Sequence, residues 1–337
     1  MRAFVVTAAR TAAVLDVEPP NPRPDQVVVD VARVGVCGTD VEFFTGEMEY
    51  LRHGHARYPM RLGHEWSGTV SAVGDDVDRL WLGRRVTGDT MLGCGHCRRC
   101  LDGHHWVCGE RMEIGIRGGF AGALAEQLAV PKSALHALPQ AIDDMAGALV
   151  EPGGNAVRVV RAADLARGDR VLVLGLGTIG LLTAMFARSA GAEVFLMGRS
   201  ERSMEFARTL GFDGVWRAAD LPTLPWKAVI DASNAPDLPT LALDLVEPGG
   251  RIVYIGLAGA PSLIDTRTLA LKDATAIGIL SASAGLADTI DAYAAGLVDP
   301  RPLVAATVGL DRVGDVLAGW RPEQAGGGPK VLVDPRA

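Results

Sequence analysis

The chain changes its hydrophobic rhythm near residue 152. Before that point, short β-branched and apolar runs ("RAFVV", "QVVVDVARVGV", "SGTVSAVG", "LAEQLAVP") alternate with turn-rich stretches such as "PPNPRPD" and "VGDDVD". Runs of that length, bounded by Pro, Gly and Asp, predict strands of a largely antiparallel, barrel-like unit. Beyond it, "RVLVL" reads as a buried strand and "TIGLLTAMFARSA" as a helix; "EVFLM", "MEFARTLG", "KAVIDAS", "LPTLALDLV" and "RIVYIGL" continue the alternation. Strand–helix alternation predicts a parallel sheet with helices on both faces. The alternation fades from about residue 280, and a last strand, "KVLVDP", follows the loop "AGGG" at 325–328.

Composition refines this picture only slightly. A length of 337 residues favours two domains, and 48% hydrophobic with 22% charged residues is ordinary for a soluble globular protein. The net charge of −7 and the lack of a basic patch argue against a nucleic-acid partner. "MRAFVVTAAR" lacks the apolar core of a signal peptide. The longest uncharged apolar run, 171–187, falls short of a comfortable membrane span and carries three spaced glycines. A cytoplasmic protein with no membrane partner is expected. In that setting clustered cysteines suggest metal before disulfides.

Four of the five cysteines fall in "CGHCRRCLDGHHWVC", at Cys94, Cys97, Cys100 and Cys108. Four thiolates around Zn²⁺ make a closed tetrahedral site that staples a loop. The iron–sulfur run that ends C-x3-C-P fits less well, because the last gap here is seven residues and Gly109 follows. His96, His104 and His105 are expected in solvent or beside the metal, since the cysteines already complete the site. The fifth cysteine, Cys37, lies in "VGVCGTD"; His64 and Glu65 lie in "LGHEWSG", and Glu151 in "LVEPGGN". Mixed S, N and O ligands with one open position would suit a catalytic zinc. On spacing alone, a lone cysteine is as readily a small buried hydrophobe.

"VLVLGLGTIG" places Gly175, Gly177 and Gly180 in G-x-G-x-x-G spacing, with Thr178 and Ile179 opening a helix. The first glycine would allow a tight turn, the second close approach of a pyrophosphate, and the third close helix–strand packing. The helix N-terminal N–H groups would then meet the phosphates. At the end of the next strand, Gly198 occupies the position where NAD-binding proteins usually carry an acid, and Arg199, Ser200 and Arg202 follow. A carboxylate would repel a 2′-phosphate, whereas glycine makes room and arginine pairs with it. NADP(H) is therefore expected in preference to NAD(H).

"GHEWSGTVSAVG" resembles the G-H-E-x2-G-x5-G signature of the zinc-containing medium-chain alcohol dehydrogenases, and "CGTD" resembles that family's first catalytic-ligand motif. The four-cysteine loop lies where the family keeps a structural zinc. The resemblance covers nearly the whole chain and points to the polyol/threonine dehydrogenase-like branch. It implies one catalytic and one structural zinc. Cys37 and His64 would be the firm catalytic ligands. Glu65 matches the carboxylate that ligates zinc in the polyol branch. Glu151 matches one that approaches the metal from the far side, as a ligand or just behind one. Thr39 matches the hydroxyl that contacts the reacting oxygen, and Lys330 a basic residue near the cofactor phosphates.

Two departures from the family pattern stand out. Glu42 replaces a histidine that many relatives carry, so the proton path would run through the cofactor ribose and water or through Glu42 itself. In "EPGGN", Gly153 and Gly154 would widen the cleft and Asn155 would bond a polar substrate; alternatively Pro152 starts a helix and the glycines allow close packing. The segment "TDVEFFTGEMEY" is expected at the substrate mouth, where Phe43, Phe44 and Tyr50 beside Glu42, Glu47 and Glu49 would suit a polyol, sugar, cyclitol or aminosugar. The same acids otherwise make a solvated helix face.

The implied architecture is an α/β fold: a GroES-like β-rich catalytic domain at 1–151, a doubly wound Rossmann domain at 152–279, and a return to the catalytic domain at 280–337. The active site is expected between the domains, and the assembly as a homodimer or homotetramer with "RIVYIGL" extending a sheet across subunits. The expected activity is zinc-dependent hydride transfer between NADP(H) and a polar secondary alcohol or ketone. A zinc-independent quinone-reductase-like member is one alternative, opposed by the joint presence of Cys37, His64 and Glu65. A catalytically silent binding protein is the other.

Overall fold

A computed structural model describes every residue of the chain except Ala258. It divides into two compact units, Met1–Glu151 with Val304–Gly326 and Lys330–Ala337, and Pro152–Leu303 with Gly327–Pro329.

The first unit is built on a seven-stranded sheet. Its order is Val304–Gly309, Lys330–Asp334, Gln26–Gly35, Glu65–Val73, Arg85–Gly88 and Leu135–Ala137, with Gln127–Pro131 also paired to Gln26–Gly35. Only the pair Val304–Gly309 and Lys330–Asp334 is parallel; the other neighbours run antiparallel. The period-2 pattern explains the pairing: Val27, Val29 and Val31 alternate into the core and are fully buried, as is Trp66. Register then sets the site. Gly35 faces Leu332 on one side and Glu65 on the other, so the strand ends bearing Glu65 and Lys330 meet beside Gly35. Cys37 lies two residues beyond the strand Gln26–Gly35 and immediately precedes the helix Gly38–Thr45.

The second unit holds a six-stranded parallel sheet. Its order is Gly214–Trp216, Glu193–Met197, Arg170–Leu174, Trp226–Asp231, Val246–Tyr254 and Thr275–Gly278. Numbered along the chain this is 3-2-1-4-5-6, a doubly wound sheet whose order reverses at Arg170–Leu174. Val171–Leu174 and Ala228–Ile230 are fully buried, as strands covered on both faces must be. The apolar run 171–187 is one of these strands plus the start of the helix Thr178–Ser189. Among the described residues no helix is long and apolar enough to cross a membrane.

Two expectations need correction. "RIVYIGL" does not lie at a sheet edge: Val246–Tyr254 has a neighbour on both sides, and the edge strand is Thr275–Gly278. The second unit also runs past residue 280, to Leu303. The strand alternation stops there because a helix, Leu286–Ala294, follows the edge strand and packs inward; Tyr293 stacks on Phe186 with ring centroids 6.0 Å apart.

Candidate metal centres and nucleotide site

Cys37, His64 and Glu65 come from two segments, yet their ligand atoms all lie within 4.8 Å of one another. His64 and Glu65 are buried, and Cys37 is half-buried. Asp40, which sequence reasoning passed over, organises the group. Fully buried, it accepts from Cys37 N–H at 2.8 Å and from Gly63 N–H at 3.3 Å, and its Oδ1 lies 3.7 Å from His64 Nδ1. Burial works against a charged ring, but the Asp40 carboxylate holds the His64 pKa well above its ordinary value. His64 Nδ1 makes no hydrogen bond despite being buried. A thiol, an imidazole with a buried carboxylate facing its Nδ1 and a second carboxylate form a donor set that fits Zn²⁺ with a position left open.

Lys330 belongs to this centre. It is 2% exposed, and its ammonium donates to Glu65 Oε2 at 2.6 Å and to Val36 O at 3.0 Å. Burial would lower its pKa, but Glu65 holds it above the ordinary lysine value. One oxygen of Glu65 is thus committed to Lys330, so the carboxylate reaches a metal with the other oxygen or by leaving the lysine. Gly35 makes the arrangement possible: a Cβ there would fall 2.0 Å from Glu65 Oε2. Glu151 is buried in the first turn of the helix Val150–Ala163 and does not join the ligand cluster.

The helix Gly38–Thr45 carries Thr39 in its first turn and Glu42 one turn on. Burial and the nearby Glu47 raise the Glu42 pKa. Phe43 and Phe44 do not line a mouth. With Asp40 they form the buried face of this short helix and belong to the barrel core. Tyr50 is taken up by Glu113 at 3.2 Å and Arg111 at 3.1 Å, and Glu49 pairs with Arg52. Asn155 is buried in the helix Val150–Ala163. The neighbouring glycines serve packing: a Cβ at Gly153 would lie 2.4 Å from Thr289 Cγ2, and one at Gly154 2.9 Å from Ala282 Cβ.

Cys94, Cys97, Cys100 and Cys108 form a second cluster. Their sulfurs are 3.9 Å apart for Cys94 and Cys100 and 3.7 Å apart for Cys97 and Cys108. Zn–S bonds of about 2.3 Å in a tetrahedron put sulfurs about 3.8 Å apart, so the spacing fits zinc and excludes disulfides. Cys97 N–H donates to Cys94 Sγ at 3.3 Å. Backbone N–H groups of Cys94 and Glu110 push the Cys108 thiol down to about 7 against its burial, whereas burial pushes Cys100 up to about 12. His105 turns from the sulfurs to Asp89 at 2.8 Å, His104 packs edge-on against Trp106, and His96 is exposed.

In the second unit, Gly175, Gly177 and Gly180 close the first strand onto the helix Thr178–Ser189. Gly175 has φ +105°, which favours glycine, and a Cβ at Gly180 would strike Gly175 O at 2.0 Å. A Cβ at Gly177 would meet nothing within 4 Å, leaving an open approach at the helix N-terminus. That cradle fits a pyrophosphate. Gly175, Gly177, Gly198, Arg199 and Ser200 line one cavity of about 270 Å³. Ser200 also caps the helix Glu201–Thr209 by accepting from Ser203 N–H. Thr178, Ile179 and Arg202 are not among the lining residues.

A doubly wound sheet with a phosphate cradle in one unit, and two zinc-compatible ligand clusters in the other, define a zinc-type nucleotide-dependent dehydrogenase. Residues 23–140 match the alcohol dehydrogenase GroES-like domain family, and residues 178–295 match the zinc-binding dehydrogenase family. L-threonine 3-dehydrogenase of Rhizobium johnstonii is 30% identical over 94% of this chain and 92% of its own. Two solved structures each cover 99% of both chains. One is the alcohol dehydrogenase RspB of Escherichia coli CFT073 with NADH, at 26% identity and TM-score 0.90. The other, named as a zinc-binding dehydrogenase of Sinorhizobium meliloti 1021 and bound to NADP, has 28% identity and TM-score 0.89. The chain belongs to the zinc-containing medium-chain alcohol dehydrogenase family, in its polyol/threonine branch. It is an NAD(P)-dependent alcohol dehydrogenase.

Proposed function

We propose that this enzyme transfers hydride between NADP(H) and a polar secondary alcohol or its ketone, of polyol, sugar, cyclitol or aminosugar type. The observation that carries the reading is the convergence of Cys37, His64 and Glu65 on one point, with Asp40 and Lys330 buried behind them. Cys37 and His64 would hold the catalytic zinc, with Glu65 as third donor; Cys94, Cys97, Cys100 and Cys108 would hold a structural one. When bound, the catalytic zinc supplies a Lewis acid for the alcohol oxygen, and the nicotinamide supplies or accepts the hydride. Asp40 fixes the Cys37 backbone and sets its charge beside the His64 ring. Thr39 takes the hydroxyl proton. Glu42, at i+3 on the same helix, lies one turn on from Thr39 and holds a proton more readily than an exposed glutamate. The relative that acts on L-threonine supports a polar secondary alcohol.

The test is a panel of polyols, sugars, hydroxy amino acids and their ketones, assayed with NADPH and NADH on enzyme of measured zinc content. Turnover of at least one polar secondary alcohol, with NADP(H) favoured about tenfold or more, is expected. Two zincs per chain without turnover anywhere in the panel would favour a silent binding protein. For assembly, we propose a homodimer joined through the free edge Thr275–Gly278. Light scattering at twice the 35.4 kDa chain mass is the expected result, and a monomer would refute it.

A further inference from the structure

The recess beyond Gly198 carries a cation that the sequence pattern did not single out. Strands Glu193–Met197 and Gly214–Trp216 are parallel neighbours, and Met197 is in register with Trp216. Arg199 follows the first strand and Arg217 follows the second, so their backbones leave adjacent strands about 5 Å apart. Both line the same cavity of about 520 Å³. Arg202 does not line it.

The charges around Arg217 are already balanced in its favour. Its NH2 donates to Glu201 Oε2 at 3.0 Å, and the other oxygen of Glu201 accepts from Arg208 at 2.8 Å. Glu201 is thus matched by two cations. A guanidinium has five N–H donors in a planar fork, so one bond to Glu201 leaves most of them for a ligand. At Gly198 a Cβ would fall 2.3 Å from Leu176 Cδ1, so the wall between the two arginines carries no carboxylate. Asp237 is the one acid lining the cavity, and it follows a strand three places along the sheet from that of Arg217.

We propose that Arg217 is a specificity-determining residue: with Arg199 it forms a two-armed clamp for the 2′-phosphate of NADP(H). A phosphate monoester offers acceptors that suit paired guanidinium forks, whereas the 2′-hydroxyl of NAD(H) offers them no charge. The clamp rests on the NADP(H) reading above. Arg202, the second cation suggested by sequence order, lies in the first turn of the helix Glu201–Thr209, does not line the cavity and takes no part.

The experiment measures binding rather than turnover, on zinc-loaded enzyme. Dissociation constants for NADPH, NADH, 2′,5′-ADP and 5′-AMP are compared for wild type, Arg217→Met, Arg217→Lys, Arg199→Met and Arg202→Met. Arg217→Met is expected to weaken NADPH and 2′,5′-ADP about tenfold or more while leaving NADH and 5′-AMP within about twofold. Arg217→Lys is expected to recover part of the loss, and Arg202→Met to resemble wild type. The NADH constant doubles as the check on folding. If wild type prefers NADPH and Arg217→Met keeps that preference while Arg199→Met loses it, the Arg217 assignment is overturned and the NADP(H) reading stands. If wild type itself binds NADH as tightly as NADPH, the underlying reading fails and the clamp with it.

Discussion

Enzyme carrying both Cys37→Ala and His64→Gln is expected to fold and to lose turnover by about 10⁴-fold or more. Lewis-acid stabilisation is worth several kcal/mol, and each 1.4 kcal/mol or so is a factor of ten in rate. Glutamine is chosen at position 64 because it keeps a polar side chain of similar size beside the fully buried Asp40 carboxylate, which already accepts from the Cys37 and Gly63 N–H groups. Metal analysis should show zinc falling from two per chain to one, with circular dichroism and NADPH binding unchanged. Full turnover by the metal-replete double variant would end the assignment of this centre. Lys330 stays in place in the experiment, so Glu65 keeps its 2.6 Å partner and the buried charge remains matched.

The second large effect is on stability. Replacing Cys97 and Cys100 by serine is expected to release one zinc and lower the melting temperature by about 5–10 °C, because a structural zinc contributes folding free energy directly. Beyond the contact of His105 with Asp89, side-chain burial does little to hold the loop from Cys94 to Cys108. Cys108 is its one buried side chain; Leu101 is 73% exposed, and Arg98 and Arg99 face solvent. Amide exchange should accelerate across this loop, while the zinc held by Cys37 and His64 survives. An unchanged melting temperature with one zinc lost would show that the loop is held by its backbone alone.

Much of this was legible because the relevant signals are local. The thiolates fall within fifteen consecutive residues and the glycine cradle within six, and the strand–helix rhythm around them is regular. What escaped notice depends on pairing across long sequence distances. The contact of Lys330 with Glu65 was not legible because Glu65 lies 265 residues earlier and only the register about Gly35 brings them together. Gly153 and Gly154 could be read either way until Thr289 and Ala282 were seen to press on them. Phe43 and Phe44 misled for another reason. In an eight-residue helix, aromatic rings beside acids look the same whether the rings face inward or outward, and here Asp40, Phe43 and Phe44 share the inward face. Arg217 was overlooked because it follows a three-residue strand, too short to stand out in the sequence.

The pairing of Glu65 with Lys330 also sets an order of events during synthesis. At about 5–20 residues per second, a ribosome that has made Glu65 needs on the order of 10–50 s to reach Lys330. Through that interval the glutamate has no counter-ion, and its sheet lacks the strand that will deliver one. All of Pro152–Leu303 is made in the meantime. The nucleotide-binding half can therefore mature first, and the chemistry-bearing half is completed late, by a strand encoded far downstream.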